Sequence, residues 1–382
     1  MILDRLYRLF TSLRLTVVLL ALAIILIFWG TLAQVHLGLY QAQNEFFRSF
    51  CVTWQPRGSN LRIPIFPGGY LVGGLMIINL FASHFRYYKA GWKKVGIMLI
   101  HIGLVLLLLG QFLTDFLAEE SILHLREGEA KNYSESSREF ELTITDVSDP
   151  AADRIVSVPA RALRSDREIT QSELPFRLLL KQYYANSSLV QNAEAGYEQV
   201  AATAGVGAGI FWKELPQETA MDRRDMPSGL FEVIGPKGSA GTYLISAFLK
   251  NPQELVLDGK RFLLELRLRR FYKPFHIHLV EFNHDLYPGT SIAKNYSSMV
   301  RVVNPQTGED RQVLIKMNTP LRYKGETYYQ SSFDADDKGS ILQVVRNPSW
   351  LTPYLACVLV SLGLTSQFGI HLVGFAAKRR KS

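Results

Sequence analysis

Residues 95–114 read VGIMLIHIGLVLLLLGQFLT, twenty positions without a formal charge and with one ionisable side chain, His101. Wound as a helix at about 1.5 Å per residue, such a run crosses a hydrocarbon core of about 30 Å. Lys93 and Lys94 close it at one end and Asp115 at the other. An ionisable group at that depth is expensive, which makes His101 a functional candidate from the outset.

Charge-free stretches also occur at 15–44, 63–85 and 347–377. Together with 95–114 they predict four membrane helices, at 15–35, 69–87, 95–114 and 352–375. The pattern is that of an α+β membrane protein with three N-terminal spans and one C-terminal span. Residues 1–14 form an interfacial segment, in which Leu3, Leu6, Leu9 and Phe10 share one helix face and Arg5 and Arg8 lie elsewhere. Residues 36–68 form a loop that opens with a surface helix over 36–50. The polar block 115–350 is the extramembrane domain, and 376–382 is a basic tail.

Basic residues set the orientation. The segment before the first span, the link between the second and third, and the tail hold eleven Lys and Arg; the loop after the first span holds Arg48, Arg57 and Arg62. Both termini are thereby expected in the cytosol of a cell bounded by an inner membrane, with the large domain periplasmic. The chain has 382 residues and a formal net charge of +8. Residues 115–350 alone hold 28 Lys and Arg against 32 Asp and Glu, so the basic excess sits at the membrane ends. No basic groove with interleaved aromatics exists, which argues against nucleic acid as a partner. The two cysteines, Cys51 and Cys357, have different predicted depths and form no C-x-x-C, so neither a redox pair nor covalent haem attachment within this chain is expected.

The outer block reads as β. Alternation marks 141–147, 154–161, 176–184, 262–272, 275–282, 298–304, 311–317 and 326–333. Asp258-Gly259, Pro288-Gly289 and Lys324-Gly325 supply turns. An antiparallel sandwich or barrel-like domain is the expectation, with 186–228 as a long loop or insertion.

Within the third span, Gly96, Gly103 and Gly110 recur every seven residues and line one helix face, where a neighbouring helix can approach closely. His101 lies about 140–180° away from that stripe. It therefore points off the chain's own packing face, toward a partner subunit or a cofactor; a hydrogen bond to a nearby helix is the plainer alternative. Its position, about 10 Å in from the cytosolic end, and the strength of a neutral imidazole as an axial haem ligand suggest haem iron. His84 and Arg86 end the second span, and Asn79, Ser83 and Arg86 share a polar stripe. His84 as a second ligand and Arg86 as a propionate partner stand against simple snorkelling at the interface. His276 and His278 share a strand face, with His284 six residues on: a divalent-metal set, or a solvated face. His36 sits at the outer end of the first span.

The runs WKKVGIMLIHIGLVLLLLGQFLTDF (92–116) and LHLREGEAKNYSE (123–135) resemble the ResB family of cytochrome c biogenesis proteins, also called CcsB, of the System II pathway. So do 30–50, 66–86, 273–298 and 317–334, so the likeness extends over nearly the whole chain. The resemblance implies a subunit that binds haem b in the membrane and helps export it to apocytochrome c with a CcsA-type partner. A separate thioredoxin-like pathway would keep the acceptor thiols reduced. It also implies that His101 is an axial ligand of the haem in transit. The Trp-rich haem motif of CcsA is absent, so the chain is not expected to be an enzyme alone. A haem-free scaffold, whose β domain binds protein partners, is the rival.

Overall fold

Ser12 breaks the amphipathic start of the chain from its first long apolar helix: its backbone is extended and its hydroxyl caps Arg14 N–H. In the computed structural model, which describes residues 2–56, 61–87, 94–150, 152–220, 223–290 and 293–379, this corner separates α1 (Ile2–Phe10) from α2 (Leu13–Leu37). Arg57, Lys89, Lys93, Arg380 and Lys381, counted above for orientation, lie outside the described residues. The chain forms two compact units, one holding residues 1–119, 219–221 and 346–382, the other 120–218 and 222–345.

In the helical unit, α2 leads to a short α3 (Leu39–Ala42), a π-helical turn over Gln43–Phe47 and a hairpin of β1 (Cys51–Trp54) with β2 (Ile63–Pro67). Three further helices follow: α4 (Gly69–Tyr87), α5 (Val95–Leu117) and α6 (Thr352–Arg379). The surface helix expected over 36–50 is therefore interrupted, because Gly38 takes φ +77 and ends α2. Among the described residues three helices, α2, α5 and α6, are long and apolar enough to cross a membrane. The fourth expected span exists as α4 but is more polar, since it carries Asn79, Ser83, His84 and Arg86.

The glycine stripe packs as its spacing predicts. A Cβ on Gly96 would lie 2.7 Å from Gln367 and from the Gly363 carbonyl oxygen; one on Gly103 would lie 2.6 Å from Val360 Cγ2. At Gly110 it would meet Thr352 Cγ2 at 2.6 Å. All three glycines are buried, so α5 meets α6 along the whole stripe. α5 also runs past the expected end at 114. Asp115 lies inside it, its charge met by Arg48 Nε at 2.8 Å and by the Tyr70 hydroxyl at 2.5 Å.

The other unit is antiparallel β. Its strands are β3 (Glu119–Arg126), β4 (Ala130–Asp146), β5 (Arg154–Pro159), β6 (Arg167–Ile169), β7 (Arg177–Tyr184), β8 (Ser187–Val190), β9 (Glu198–Gln199), β10 (Phe211–Glu214) and β11 (Ser228–Gly235). They continue as β12 (Gly238–Ser246), β13 (Gln253–Leu257), β14 (Lys260–Leu286), β15 (Ala293–Asn304), β16 (Glu309–Lys316), β17 (Leu321–Tyr323), β18 (Glu326–Phe333) and β19 (Gly339–Arg346). Two long strands, β4 and β14, pair with each other, and β14 serves two cores. Leu142, Ile144, Phe262 and Leu264 face Leu178, Leu180, Phe231 and Ile245 of the sheet β12-β11-β7-β6, as in a sandwich. Beyond residue 274, Phe275, Ile277 and Leu279 enter the second core. There Ile315 from one end of the order β16-β15-β14-β4-β3-β19-β18-β17 meets Tyr328 and Leu321 from the other. A sheet whose two ends share one core is curled into a nearly closed barrel.

Two expectations change. The runs 262–272 and 275–282 are one strand: Pro274 lacks an N–H, but it sits where the register with β4 slips between Tyr272 and Ile277. Residues 186–228 are no plain loop, since β8, β10 and β9 form a small sheet over Trp212, Val200, Leu230 and Leu244. The turns at Asp258-Gly259 (φ 48 and 80) and Lys324-Gly325 (φ 49 and 82) are type I′, as dipeptides ending in glycine favour.

The basic run along β14 is neutralised from within the β unit. Arg267 meets Glu141 at 3.2 Å, Arg269 meets Glu139 at 2.9 Å, and Arg270 meets Glu135 at 2.9 Å. Lys273, its side chain 5% exposed, meets Glu326 at 2.7 Å. Burial pushes the Tyr328 phenol up, so it stays a neutral donor to Glu326 at 2.6 Å.

Two stability predictions follow from these contacts. Gly103→Leu should destabilise the helical unit by about 1–3 kcal/mol, read as a lower Tm in detergent, whereas Gly74→Ala, where an added Cβ meets nothing within 4 Å, should cost nothing. Glu326→Gln should cost about 3–5 kcal/mol in urea unfolding because Lys273 is left buried and unpaired, and adding Lys273→Met should recover most of the loss.

Candidate functional site

Asn79, midway along α4, ties that helix to the corner between α1 and α2. It is 2% exposed; its Nδ2 donates to the Phe10 carbonyl oxygen at 2.7 Å and the Ser12 carbonyl oxygen at 3.3 Å, and its Oδ1 accepts from the Thr16 hydroxyl at 2.6 Å. Two turns on, Arg86 donates to the Thr11 hydroxyl and lies 5.5 Å from the Tyr7 ring centroid. The polar stripe of α4 therefore faces the α1–α2 corner. His84 leaves α4 about 140–160° round from that stripe, on the side of α5.

There it meets His101. The two imidazole centroids are 6.3 Å apart, with planes inclined at 40°. His101 Nδ1–H donates to the Ile97 carbonyl oxygen at 2.7 Å. A carbonyl oxygen can only accept, so this bond fixes the tautomer and leaves the Nε2 lone pair for a metal. Orientation of one ring nitrogen by a backbone carbonyl is the usual support of a histidine that ligates through the other. The donor set thus fits haem iron: an oriented imidazole with a second imidazole beside it.

Of the residues singled out in the sequence, His84 and His101 are brought together. His101 does turn away from the α6 contact, and its neighbour is this chain's own His84. Arg86, two residues from His84, points to the opposite side of α4 and is engaged by α1. His36 lies in the last turn of α2, at the other end of that helix from Thr16, which anchors Asn79. It is therefore not brought to the pair.

The three outer histidines do not assemble. His276 and His278 lie side by side, ring centroids 6.4 Å apart. The β14–β15 register slips between Leu279 and Glu281, which turns His284 to the other face. There its ring centroid lies 4.3 Å from that of Phe333, and its Nδ1–H donates to Asp337 at 2.9 Å. Among the described residues, no group of three or more His, Cys, Asp or Glu side chains is placed to hold a metal.

Sequence reading missed two polar contacts of the helical unit. One is Arg48–Asp115–Tyr70, whose signal was an acid directly at the end of a charge-free stretch. The other is Gln367 Nε2 to His371 Nε2 at 2.9 Å, one turn apart on α6.

Residues 241–345, from within β12 to near the end of β19, match the ResB-like family. The ResB-like segment lies in the β unit and contains Pro274, the paired basic run and the barrel core. The chain is also 26% identical over 309 residues to Protein NrfI of Wolinella succinogenes, an alignment covering 78% of this chain and 30% of that protein. The chain thus spans about a third of the length of this curated relative.

The corner contacts give a test of how the site is held. Asn79→Ala removes three hydrogen bonds and leaves the Phe10 and Ser12 carbonyls without them. It should lower stability by about 1–3 kcal/mol, seen as a lower Tm of the purified chain in detergent, while Asn79→Asp, which keeps an acceptor for Thr16 but sets a buried acceptor-only carboxylate against both carbonyls, should lose at least as much.

Proposed function

We propose that this chain is the ResB-type subunit of a System II cytochrome c synthase, acting in cytochrome c biogenesis by binding haem b inside the membrane. The observation that carries the reading is the His84–His101 pair, held by two adjacent helices and oriented through Ile97. The ResB-like match supports the pathway.

In this reading α2, α4, α5 and α6 all cross the inner membrane. The ends bearing Arg5, Arg8, Arg14, Arg86, Lys94, Lys378 and Arg379 face the cytosol, and the β unit lies in the periplasm. His101 then sits in the cytosolic half of the bilayer, where haem made in the cytosol enters. His101 supplies an imidazole through Nε2, and His84 stands beside it as a second donor. Arg86 serves the haem propionates only by giving up Thr11 and Tyr7, so its first role is to hold the corner.

A CcsA-type partner completes the path outward and presents haem to apocytochrome c. Thiol addition to the haem vinyl groups takes place on that partner, with the thiols kept reduced by a thioredoxin-like pathway. This chain brings no C-x-x-C of its own. It acts as a haem-handling subunit, and the β unit offers the acceptor or the partner an extended surface.

The test is the visible spectrum of the chain purified with its CcsA-type partner. A low-spin haem signal is expected from the unmodified complex. His101→Gly should abolish or weaken it, and added imidazole should restore it. An unchanged spectrum in His101→Gly overturns the assignment, and His84→Gly reports separately whether the second imidazole ligates.

A further inference from the structure

α1 divides cleanly around its axis. Leu6, Leu9 and Phe10 occupy one arc, with Tyr7 at its edge; Asp4, Arg8 and Arg5 occupy the opposite one. The apolar arc is not covered by the helical unit. Leu6 is 47% exposed and Leu9 52%, while Thr11, one residue past the helix, is 1% exposed.

The corner that follows is clamped. Asn79 takes the Phe10 and Ser12 carbonyls, and Arg86 takes the Thr11 hydroxyl and covers the Tyr7 ring. α1 is therefore held at a set angle to α2, and its exposed arc is a built surface.

The neighbouring surface identifies what covers it. The exposed leucines run on into Leu13, 76% exposed, the first residue of a helix apolar enough to cross a membrane. The arc thus continues the surface that α2 offers to lipid. Arg5, Arg8 and the adjoining Arg14 are all exposed. An apolar arc flanked by arginines at the start of a span fits the headgroup boundary of an anionic bilayer.

We propose that α1 is a lipid-docking strap, seated by Leu6 and Leu9 in the acyl–headgroup boundary and held there by anionic phospholipid through Arg5, Arg8 and Arg14. The proposal rests on α2 entering the membrane and not on haem, and the two fail separately: loss of α1 docking leaves the haem spectrum in place.

The experiment uses the full chain in nanodiscs of phosphatidylcholine alone or of phosphatidylcholine with phosphatidylglycerol. An environment-sensitive fluorophore is attached through Leu9→Cys in a Cys51→Ser, Cys357→Ser background. Blue-shifted emission, quenched by lipids spin-labelled just below the headgroup, is expected in the anionic discs and weaker in the neutral ones. Each of Arg5→Gln and Arg8→Gln should lower the docked-to-undocked ratio about fivefold in anionic discs. Emission typical of water in both compositions overturns the proposal. So does quenching that is equal in both discs and indifferent to the arginines, or shielding that arises only when a partner protein is added. A label at Leu6→Cys repeats the measurement independently of any disturbance at position 9.

Discussion

A bilayer core offers no water to satisfy a backbone and no hydrophobic gain for pressing one apolar helix on another, so helices there associate through close fit. Gly96, Gly103 and Gly110 meet that demand by letting α6 come within reach of the α5 backbone, and Val360, Gly363 and Thr352 fill the space that side chains would have taken. This contact fixes the rotation of α5 about its own axis. Once the glycines face α6, His101 has to face elsewhere, and α4 provides the neighbour there. The imidazole pair is thus a consequence of a packing solution three residues wide, and Ile97 only fine-tunes which nitrogen is offered.

The helical unit was legible because its two signals are long-range in composition and simple in period. Charge-free runs marked the helices, and a seven-residue repeat of glycine marked the packing face. The ends were less legible, since a charge ends a hydrophobic run only when it is unpaired: Asp115 continues α5 because Arg48 and Tyr70 satisfy it. Within the β unit, alternation found the strands that bury one face. It divided β14 at Pro274, because a bulge that absorbs a proline looks in sequence like a break. It did not single out β3, β11, β12, β13 or β19, and it missed β6, β8, β9, β10 and β17, whose few residues are too short to show a period.

The site was readable only in part. His101 was singled out by its place inside a charge-free run and His84 by its place near the end of another, and the structure sets the two side by side. That Arg86 turns to α1 was written in the stripe Asn79–Ser83–Arg86, which has a single direction on a helix and so excludes the side taken by His84. The metal reading of His276, His278 and His284 failed for a different reason: even spacing preserves a face only along an unbroken register, and β14 slips against β15 between Leu279 and Glu281. The basic run of β14 is met across the sheet by Glu135, Glu139 and Glu141, and at Lys273 by Glu326.

The pairing of β4 with β14 also sets a timetable. Leu142 lies opposite Leu266, and Ile144 opposite Leu264. At synthesis rates of about 5–20 residues per second, β4 emerges on the order of ten seconds before the strand it pairs with along most of its length. α5 waits longer, since Gly103 is covered by Val360, which belongs to the last helix of the sequence. During that interval an open glycine groove and one open edge of β4 are exposed to whatever else is present. The chain therefore closes late in both units.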